Sequence, residues 1–225
     1  FPTRRSSDLS LKSSIKTMLT LEQGVASGLP EAAADMNPIA LFRAWHSAAE
    51  ESGIALPESM TLATSTAEGI PSARTVLLKG VDERGFVFYT NYGSRKAGEL
   101  EANPHAALCF HWAVLERQVR VTGHVERVSR EESLAYFTSR GKGSRIGAWA
   151  SRQSEPLEER SSLEAAVEDF KEQYPGEDVP LPPHWGGYLV RPDQIEFWQG
   201  RADRLHDRLV FSHTETGWST KWLYP

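Results

Sequence analysis

Short segments of alternating or continuous apolar residues recur from Met60 onward, and they constrain the fold more than any other feature. The clearest runs over 117–128, where Val119, Val121 and Val125 alternate with polar residues. Alternation with a period of two is typical of a half-buried strand. Short strands joined by tight turns favour an antiparallel barrel or sandwich. Further strands are predicted over 60–66, 72–80, 85–91, 106–113, 185–191, 194–200, 209–213 and 218–224.

Helical patterns lie before the first strand and between the strands. Asn37 is a cap residue, and Pro38 follows it at the first helical position. We expect residues 36–225 to form one mainly β domain with peripheral helices, an α+β arrangement. Residues 1–35 are expected to be a disordered arm, of which residues 1–9 are interpreted as a translated sequencing adapter. Further helices are predicted over 94–103, 130–139, 143–151 and 156–174.

The overall charge favours a small anionic ligand over a polyanion. Net charge is −5, yet many of the basic residues are clustered along the sequence. A nucleic-acid partner is therefore not expected. No apolar run approaches the ~20 residues that cross a bilayer, so a membrane is not expected either, and a cytoplasmic location is the default. The single cysteine, Cys109, excludes an intramolecular disulfide, and the seven histidines show no metal-ligand spacing.

The stretch Arg74-Thr-Val-Leu-Leu-Lys79 has a cation at each end of a buried strand pattern. Strict alternation along a strand places Arg74 and Lys79 on opposite faces. Either the two cations serve different ligands, or a bulge intervenes between them. A turn over 81–85 leads into the next strand, and the two strands are expected to form a hairpin.

The segment Ser94-Arg95-Lys96 indicates an anion site at the start of a helix. Ser94 is placed to cap the helix, so Arg95 and Lys96 fall in its first turn. Cations there oppose the helix dipole, which favours negative charge. That placement is favourable when an anion binds there and is also held by free backbone N–H groups. The sequence therefore predicts a phosphate-bearing ligand.

A second cationic motif, Arg204-Leu-His-Asp-Arg208, lies near the C-terminus. If the motif is extended, Arg204, His206 and Arg208 share one face at a spacing of roughly 6.6 Å. Three such donors repel one another unless an anion or an electron-rich ring lies between them. The alternative is a solvated edge strand whose cations prevent aggregation.

A third candidate site lies at the end of the helix over 130–139. Tyr136 and Arg140 are four residues apart and share a helix face. Gly141 and Gly143 then break the helix and allow Ser144 to turn toward the same point. Tyrosine, arginine and serine together are suited to holding a phosphate. The alternative is a surface arginine packed on a tyrosine.

Taken together, these motifs resemble the pyridoxine (pyridoxamine) 5′-phosphate oxidase family, in that family's order and from about Met36 to Pro225. Any one of these motifs can arise by chance, whereas the full series is very specific. The matching segments are Arg74–Lys79, Phe88–Lys96, Glu116–Val121, Ile146–Ser151 with Gln153-Ser154, Trp185–Gly187, Glu196–Arg201 and Arg204–Arg208.

The resemblance implies an antiparallel FMN-binding split β-barrel that forms a homodimer, with FMN at the subunit interface. Arg204 and His206 would be the catalytic residues that orient the reacting end of the substrate. Implied substrate contacts are Lys79, Tyr136, Arg140, Ser144, Arg204 and His206. Implied FMN contacts are Arg74, Thr75, Val76, Leu77, Leu78, Lys79, Tyr89, Thr90, Ser94, Arg95, Lys96, Gln118, Gln153, Ser154, Trp198 and Arg208.

The activity implied by the resemblance is that of a pyridoxal 5′-phosphate synthase, also called pyridoxamine-phosphate oxidase, in vitamin B6 metabolism. Hydride would pass from pyridoxine or pyridoxamine 5′-phosphate to flavin, and O2 would be reduced to H2O2. The phosphates of FMN and substrate would account for two cation clusters in an acidic protein. Two alternatives are a split-barrel flavin reductase, against which Tyr136, Arg140 and His206 argue, and a non-catalytic carrier of FMN or pyridoxal phosphate.

This chain departs from the family pattern at four places. Leu21–Gly24 stands where the family has Arg-Arg-x-Tyr, a segment that closes over the substrate. Gly141 replaces a proline, Arg145 replaces a glutamine, and Trp222 replaces an arginine near the C-terminus. None of these positions belongs to the implied FMN set.

Overall fold

A computed structural model describes residues 28–29 and 31–225 of the chain, and its main feature is one antiparallel sheet. Every strand pairing in the described residues is antiparallel, which confirms the predicted fold class. The strands are β1 (Ser59–Ser65), β2 (Pro71–Leu77), β3 (Gly80–Asp82), β4 (Gly85–Asn91), β5 (His105–Trp112), β6 (Arg117–Arg127), β7 (Trp185–Gln199), β8 (Asp207–Thr214) and β9 (Gly217–Trp222).

The long strand β7 organises the sheet. The strand order is β2-β1-β5-β6-β7-β4-β3, and the sheet curls into a half-barrel. The first part of β7 pairs with β4, whereas its last part pairs with β8, which also pairs with β9. A register shift in the pairing with β6 lies between Thr122 and Gly123. Gly123 is required there, because a Cβ would lie 1.9 Å from the carbonyl oxygen of Arg191.

The helices lie outside the sheet. The first begins as the sequence predicts, because the side chain of Asn37 accepts hydrogen bonds from the N–H groups of Ile39 and Ala40. None of the helices in the described residues combines the length and apolarity that a membrane span needs. The α-helices are α1 (Pro38–Glu51), α2 (Arg95–Ala102), α3 (Arg130–Ser139), α4 (Lys142–Ala150) and α5 (Arg160–Gln173).

The core lies between α1 and one side of the sheet. Phe42 of α1 has its ring centroid 4.9 Å from the rings of both Phe86 and Phe110. All three phenylalanines are fully buried. A second apolar cluster, built around Phe137 and Trp185, joins α3 and α4 to the start of β7. This second cluster holds the two helices in place beside the sheet, since burial of large aromatic side chains stabilises the packing.

Several predicted boundaries are wrong, and two of them matter for the site. The predicted strand over 72–80 ends at Leu77, and a separate short strand, β3, forms the hairpin with β4. The two strands predicted over 185–191 and 194–200 are one continuous strand, β7. In addition, α5 begins at Arg160, not at residue 156.

The predictions for the N-terminal arm fall mostly outside the described residues. These include the interpretation of residues 1–9 and the altered segment Leu21–Gly24. Glu31–Asp35 differs from the expected disordered arm, because it forms a 3-10 helix. Ala33 of that helix is fully buried in the main core. The division at residue 35 itself stays a prediction.

Candidate active site

A cavity of about 520 Å³ lies between the sheet and the helices α3 and α4. Four cationic side chains reach it, and none of its described lining residues is acidic. The site is therefore suited to an anionic ligand of cofactor size. Its lining is Arg74, Thr75, Val76, Leu77, Lys79, Tyr89, Thr90, Asn91, Lys96, Tyr136, Arg140, Ser144, Gly147, Ala148, Ser151, Gln153 and Trp185.

Lys96 provides a partly buried charge at the start of α2. Its Nζ donates to Gln153 Oε1 at 2.7 Å, to Thr90 Oγ1 at 3.1 Å and to Ser94 Oγ at 3.3 Å. All three acceptors are neutral. Burial and, to a smaller extent, the nearby charge of Arg74 lower the pKa of Lys96 to about 8, and Glu99 partly opposes them. A bound phosphate would supply the missing counter-charge.

The side chain of Ser94 does not cap α2 as predicted. It makes no hydrogen bond to the helix N–H groups, and its Oγ accepts from Lys96 instead. The backbone N–H of Arg95 donates to Ser154 Oγ at 3.2 Å, which brings the loop after α4 to the helix start. Ser154 has a positive φ of 77°. The helix start is thus surrounded by predicted ligand residues from two segments.

Arg140 has a buried nitrogen without a partner. Its guanidinium carbon lies 4.8 Å from the ring centroid of Trp185 and 5.9 Å from that of Phe137. Nη1 is buried and has no hydrogen-bond partner among the described residues. Burial lowers the pKa of Arg140 below its usual value. A buried, unpaired guanidinium nitrogen at a cavity is a strong indication of an anionic ligand.

Stacked aromatic rings form one wall of the cavity. The rings of Tyr89 and Tyr136 are 4.0 Å apart at an angle of 16°, and Tyr89 lies 5.5 Å from Trp185 at 8°. Burial raises the pKa of Tyr89 to about 12, so its hydroxyl stays neutral. The stack needs Gly187, because a Cβ there would lie 2.7 Å from the ring of Tyr89. This wall is suited to contact with an aromatic ligand.

Arg74 and Lys79 both line the cavity, which answers the question of their opposite strand faces. Strand β2 ends at Leu77, and the chain turns through residues 78–79 before β3 begins. Alternation is interrupted between β2 and β3, so both cations line one cavity without a bulge inside β2. The alternative that they serve different ligands stays a prediction. Leu78 is buried in the core instead and does not reach the cavity.

A second group of predicted ligands lies on neighbouring strands at the other end of the sheet. Gln118 of β6 is in register with Trp198 of β7, which is in register with Arg208 of β8. Arg208 Nε donates to the buried carboxylate of Glu196 at 2.8 Å. The rings of Trp198 and His206 are 4.6 Å apart. None of these residues lines the cavity.

The segment Arg204–Arg208 is not the extended strand that the sequence suggested. Ala202–Arg204 forms a 3-10 turn, and Asp203 and Arg204 have positive φ angles of 55° and 61°. Strand β8 begins only at Asp207, so Arg204, His206 and Arg208 do not share one strand face. The turn is closed by the N–H of Arg201, which donates to His206 Nδ1 at 3.2 Å.

The two groups of predicted site residues lie at opposite ends of β7. Trp185 borders the cavity, whereas Trp198 lies thirteen residues further along the same strand. At about 3.3 Å per residue this is roughly 40 Å of strand, although the curl of the sheet shortens the direct distance. Each half of the predicted site is therefore assembled separately within one chain.

Several residues of the site were missed by sequence reasoning. Asn91, Gly147, Ala148, Ser151 and Trp185 line the cavity without having been predicted as contacts. Trp185 had a signal in the sequence, because the matching segment Trp185–Gly187 contains it. No three His, Cys, Asp or Glu side chains in the described part of the chain lie close enough together to hold a metal ion.

The fold and the site define a class of protein, the split β-barrels. A solved structure of PhzG from Burkholderia lata, in complex with tetrahydrophenazine-1-carboxylic acid, has a TM-score of 0.83 to this chain at 29% identity. It covers 88% of this chain and 98% of that one. A pyridoxamine 5′-phosphate oxidase-related, FMN-binding protein from Nostoc punctiforme matches with a TM-score of 0.69 at 19% identity, covering 84% and 99%.

Sequence comparison places the chain within this class. The family model for pyridoxamine 5′-phosphate oxidase matches residues 47–174. The family model for the pyridoxine 5′-phosphate oxidase C-terminal dimerisation region matches residues 185–225. A pyridoxine/pyridoxamine 5′-phosphate oxidase from Psychromonas ingrahamii is 55% identical, covering 96% of this chain and all of the relative. One from Rubrobacter xylanophilus is 57% identical, covering 88% and 92%. The chain belongs to the pyridoxine/pyridoxamine 5′-phosphate oxidase family.

Proposed function

We propose that this protein is an FMN-dependent oxidase that converts pyridoxine 5′-phosphate or pyridoxamine 5′-phosphate to pyridoxal 5′-phosphate. The observation that carries the proposal is the cavity, which has two separate cationic positions and an aromatic wall. Lys96 with neutral acceptors forms one position, and Arg140 with its unpaired nitrogen forms the other. Family membership supports the same activity, because curated relatives more than half identical to this chain carry that name.

The residues present fit FMN. Lys96, Arg74 and Arg95 surround the start of α2, where a phosphate gains both charge and hydrogen bonds. Thr90 and Gln153, which hold Lys96, provide further polar groups at the same place. Bound FMN would supply the hydride acceptor for the substrate C4′ carbon and the route by which the two electrons reach O2, giving H2O2.

The substrate phosphate is assigned to the second cationic position. Arg140 offers a buried guanidinium nitrogen, and Tyr136 and Ser144 line the same cavity. Lys79 also reaches the cavity, with its Nζ 3.6 Å from a carboxylate oxygen of Glu58. These groups would anchor the substrate at its phosphate, so that the reacting carbon is held in a fixed position.

We further propose that the complete site forms in a homodimer. Gln118, Trp198 and Arg208 belong to the predicted FMN contacts, yet they lie at the far end of β7 from the cavity. In the two-fold symmetric dimer that we propose, the far end of one protomer would meet the cavity of its partner. Arg204 and His206 would then complete the partner's site at the reacting end of the substrate. The match to a dimerisation region over residues 185–225 supports this arrangement.

Hydrogen peroxide release from the FMN-loaded protein tests the function. Turnover is expected with pyridoxine 5′-phosphate, with pyridoxamine 5′-phosphate, or with both, and much less with unphosphorylated pyridoxine. Arg204→Ala should lose turnover while its FMN content stays normal. Flavin that remains oxidised with both phosphorylated substrates would overturn the proposal and favour a carrier or a reductase.

A further inference from the structure

Glu99 is a buried carboxylate behind the start of α2, and it belongs to neither set of predicted ligands. Only 6% of its surface is exposed. Oε1 accepts from Arg95 Nε at 2.8 Å, and Oε2 accepts from Arg74 Nη2 at 3.2 Å. Oε2 also accepts from Ser72 Oγ at 2.6 Å and from Thr64 Oγ1. The carboxylate therefore joins β1, β2 and α2 at one point.

Glu99 stays ionised throughout the neutral range. Burial opposes its ionisation, but the four hydrogen bonds from Ser72, Thr64, Arg95 and Arg74 outweigh burial and lower the pKa of Glu99 to about 2. A buried carboxylate without such partners would destabilise the fold. The partners here include two residues that line or adjoin the proposed FMN phosphate position.

The contacts of Glu99 fix the direction of two arginines. Arg95 is 64% exposed and is held through Nε, which leaves both terminal nitrogens without a partner among the described residues. Arg74, at the wall of the cavity, donates to Glu99 through Nη2. It also donates to the carbonyl oxygen of Leu62 and to the hydroxyls of Thr64 and Ser72, so Glu99 is one of several acceptors that orient it. Both arginines and Lys96 carry positive charge, and the carboxylate between the arginines offsets the repulsion among the three side chains.

We propose that Glu99 is the positioning residue of the phosphate end of the FMN site. It acts through Arg74 and Arg95, and its effect is to make binding depend on the phosphate of the flavin. This inference rests on the proposed FMN binding. It assigns to Glu99 the discrimination between FMN and riboflavin, which differ only in that phosphate.

The sign of the effect distinguishes positioning from simple electrostatics. Removing a negative charge near a phosphate reduces repulsion, so charge alone predicts tighter FMN binding by a Glu99→Gln variant. If Glu99 orients the arginines, the same variant binds FMN more weakly, although the site has become more positive. If Glu99 only supports the fold, FMN and riboflavin affinities fall together.

The experiment titrates the flavin-free protein with FMN and, separately, with riboflavin. Flavin fluorescence monitors each titration and gives the Kd. Glu99→Gln should raise the Kd for FMN by about tenfold, because loss of a residue that orients the ligating side chains typically weakens binding on that scale. The Kd for riboflavin should change less than about twofold. Glu101→Gln is the matched control, because Glu101 lies on the same helix but pairs with Arg127 and Tyr188. It should change neither affinity.

Two further variants guard against misfolding and test the route of the effect. Thr64→Val keeps the charge of Glu99 but removes one donor to its carboxylate and one acceptor of Arg74 Nη1. A smaller loss specific to FMN is therefore expected if Glu99→Gln does not fold. In an Arg95→Gln background, Glu99→Gln should cost less FMN affinity than in the wild type. Unchanged or tighter FMN binding, or equal losses for both flavins, would overturn the inference. Failure of the wild type to bind FMN would instead contradict the proposed function.

Discussion

Arg140 lies over the ring of Trp185, with its guanidinium carbon 4.8 Å from the ring centroid and one terminal nitrogen buried without a partner among the described residues. The ring holds the cation by a cation–π contact that leaves its hydrogen-bond donors available. Trp185 also stacks with Tyr89, whose ring lies against Tyr136. One aromatic wall therefore orients the arginine and provides a flat surface for a ligand.

Arg140→Gln should lower kcat/KM for pyridoxine 5′-phosphate by a factor of about 10 to 100, because a charge-assisted contact to phosphate contributes about 1.5–3 kcal/mol. The loss should appear mainly in KM if Arg140 binds the phosphate equally in the ground and transition states. FMN content should remain normal. Steady-state peroxide release measures the effect, and Arg160→Gln, an exposed arginine on α5, is the control. Loss of FMN from Arg140→Gln would place Arg140 at the cofactor instead.

FMN affinity should fall as the pH rises through about 8, the pKa of Lys96 in the flavin-free protein. Phosphate binds the protonated amine, so above this pH the protein must take up a proton to bind FMN. Titration calorimetry at pH 8.5 in two buffers of different ionisation enthalpy should therefore show proton uptake. Lys96→Met should bind FMN more weakly at pH 7 and show a flatter pH dependence between pH 7 and 10. Lys171→Met, an exposed control, should behave as the wild type, and an equally steep profile in Lys96→Met would contradict the assignment.

Gly187→Ala should lower the free energy of unfolding by about 1–3 kcal/mol, the usual cost of overpacking. The added Cβ would lie 2.7 Å from both the ring of Tyr89 and a methyl group of Val128. Movement of Tyr89 should also weaken ligand binding. Gly98→Ala is the control, because its Cβ would meet nothing within 4 Å inside α2, and it should stabilise by roughly 0.5–1 kcal/mol. Denaturant unfolding of the wild type and both variants measures the free energies of unfolding. If Gly187→Ala were as stable as the wild type, the aromatic wall would adjust without cost, which would contradict this prediction.

Local pattern predicted those elements whose limits are set by neighbouring residues. The strand Gly85–Asn91 and the helix Arg130–Ser139 have the predicted bounds. The start of α1 follows from the cap at Asn37 and the proline after it. Cations in the first turn of a helix are unfavourable without an anion, which is why the sequence predicts a phosphate site at Lys96. The structure places Lys96 in the lining of the cavity, and phosphate binding there stays a prediction.

Long-range pairing limited the rest of the prediction. The two strands predicted over 185–191 and 194–200 leave out Pro192, which lies inside β7. It is in register with Gly123 at the shift between β6 and β7, where a missing N–H is tolerated. Asp203 and Arg204 adopt positive φ angles that their residue types do not indicate. Glu99 gave no sign of its role, because its partners Thr64, Ser72 and Arg74 are distant in sequence.

The division of the predicted ligands between two ends of β7 could not be derived from motif order. Order along the chain shows that Gln153 and Trp198 are both present, but it does not show whether one protomer brings them together. The structure shows that β7 is one continuous strand, and its length places the residues near Trp185 far from those near Trp198. That separation leads to the central claim, that one site takes residues from two protomers.

Hybrid dimers test this claim most directly. Arg140→Gln alters the cavity, Arg208→Gln alters the group at the far end of β7, and the two chains carry different affinity tags so that hybrid dimers can be purified. If each site takes its cavity from one protomer and its far-end group from the other, a hybrid has one site with both changes and one with neither. Its peroxide release below the wild-type KM should be about half that of the wild type, well above both parent dimers. A hybrid no more active than its parents would show that both groups act within one chain.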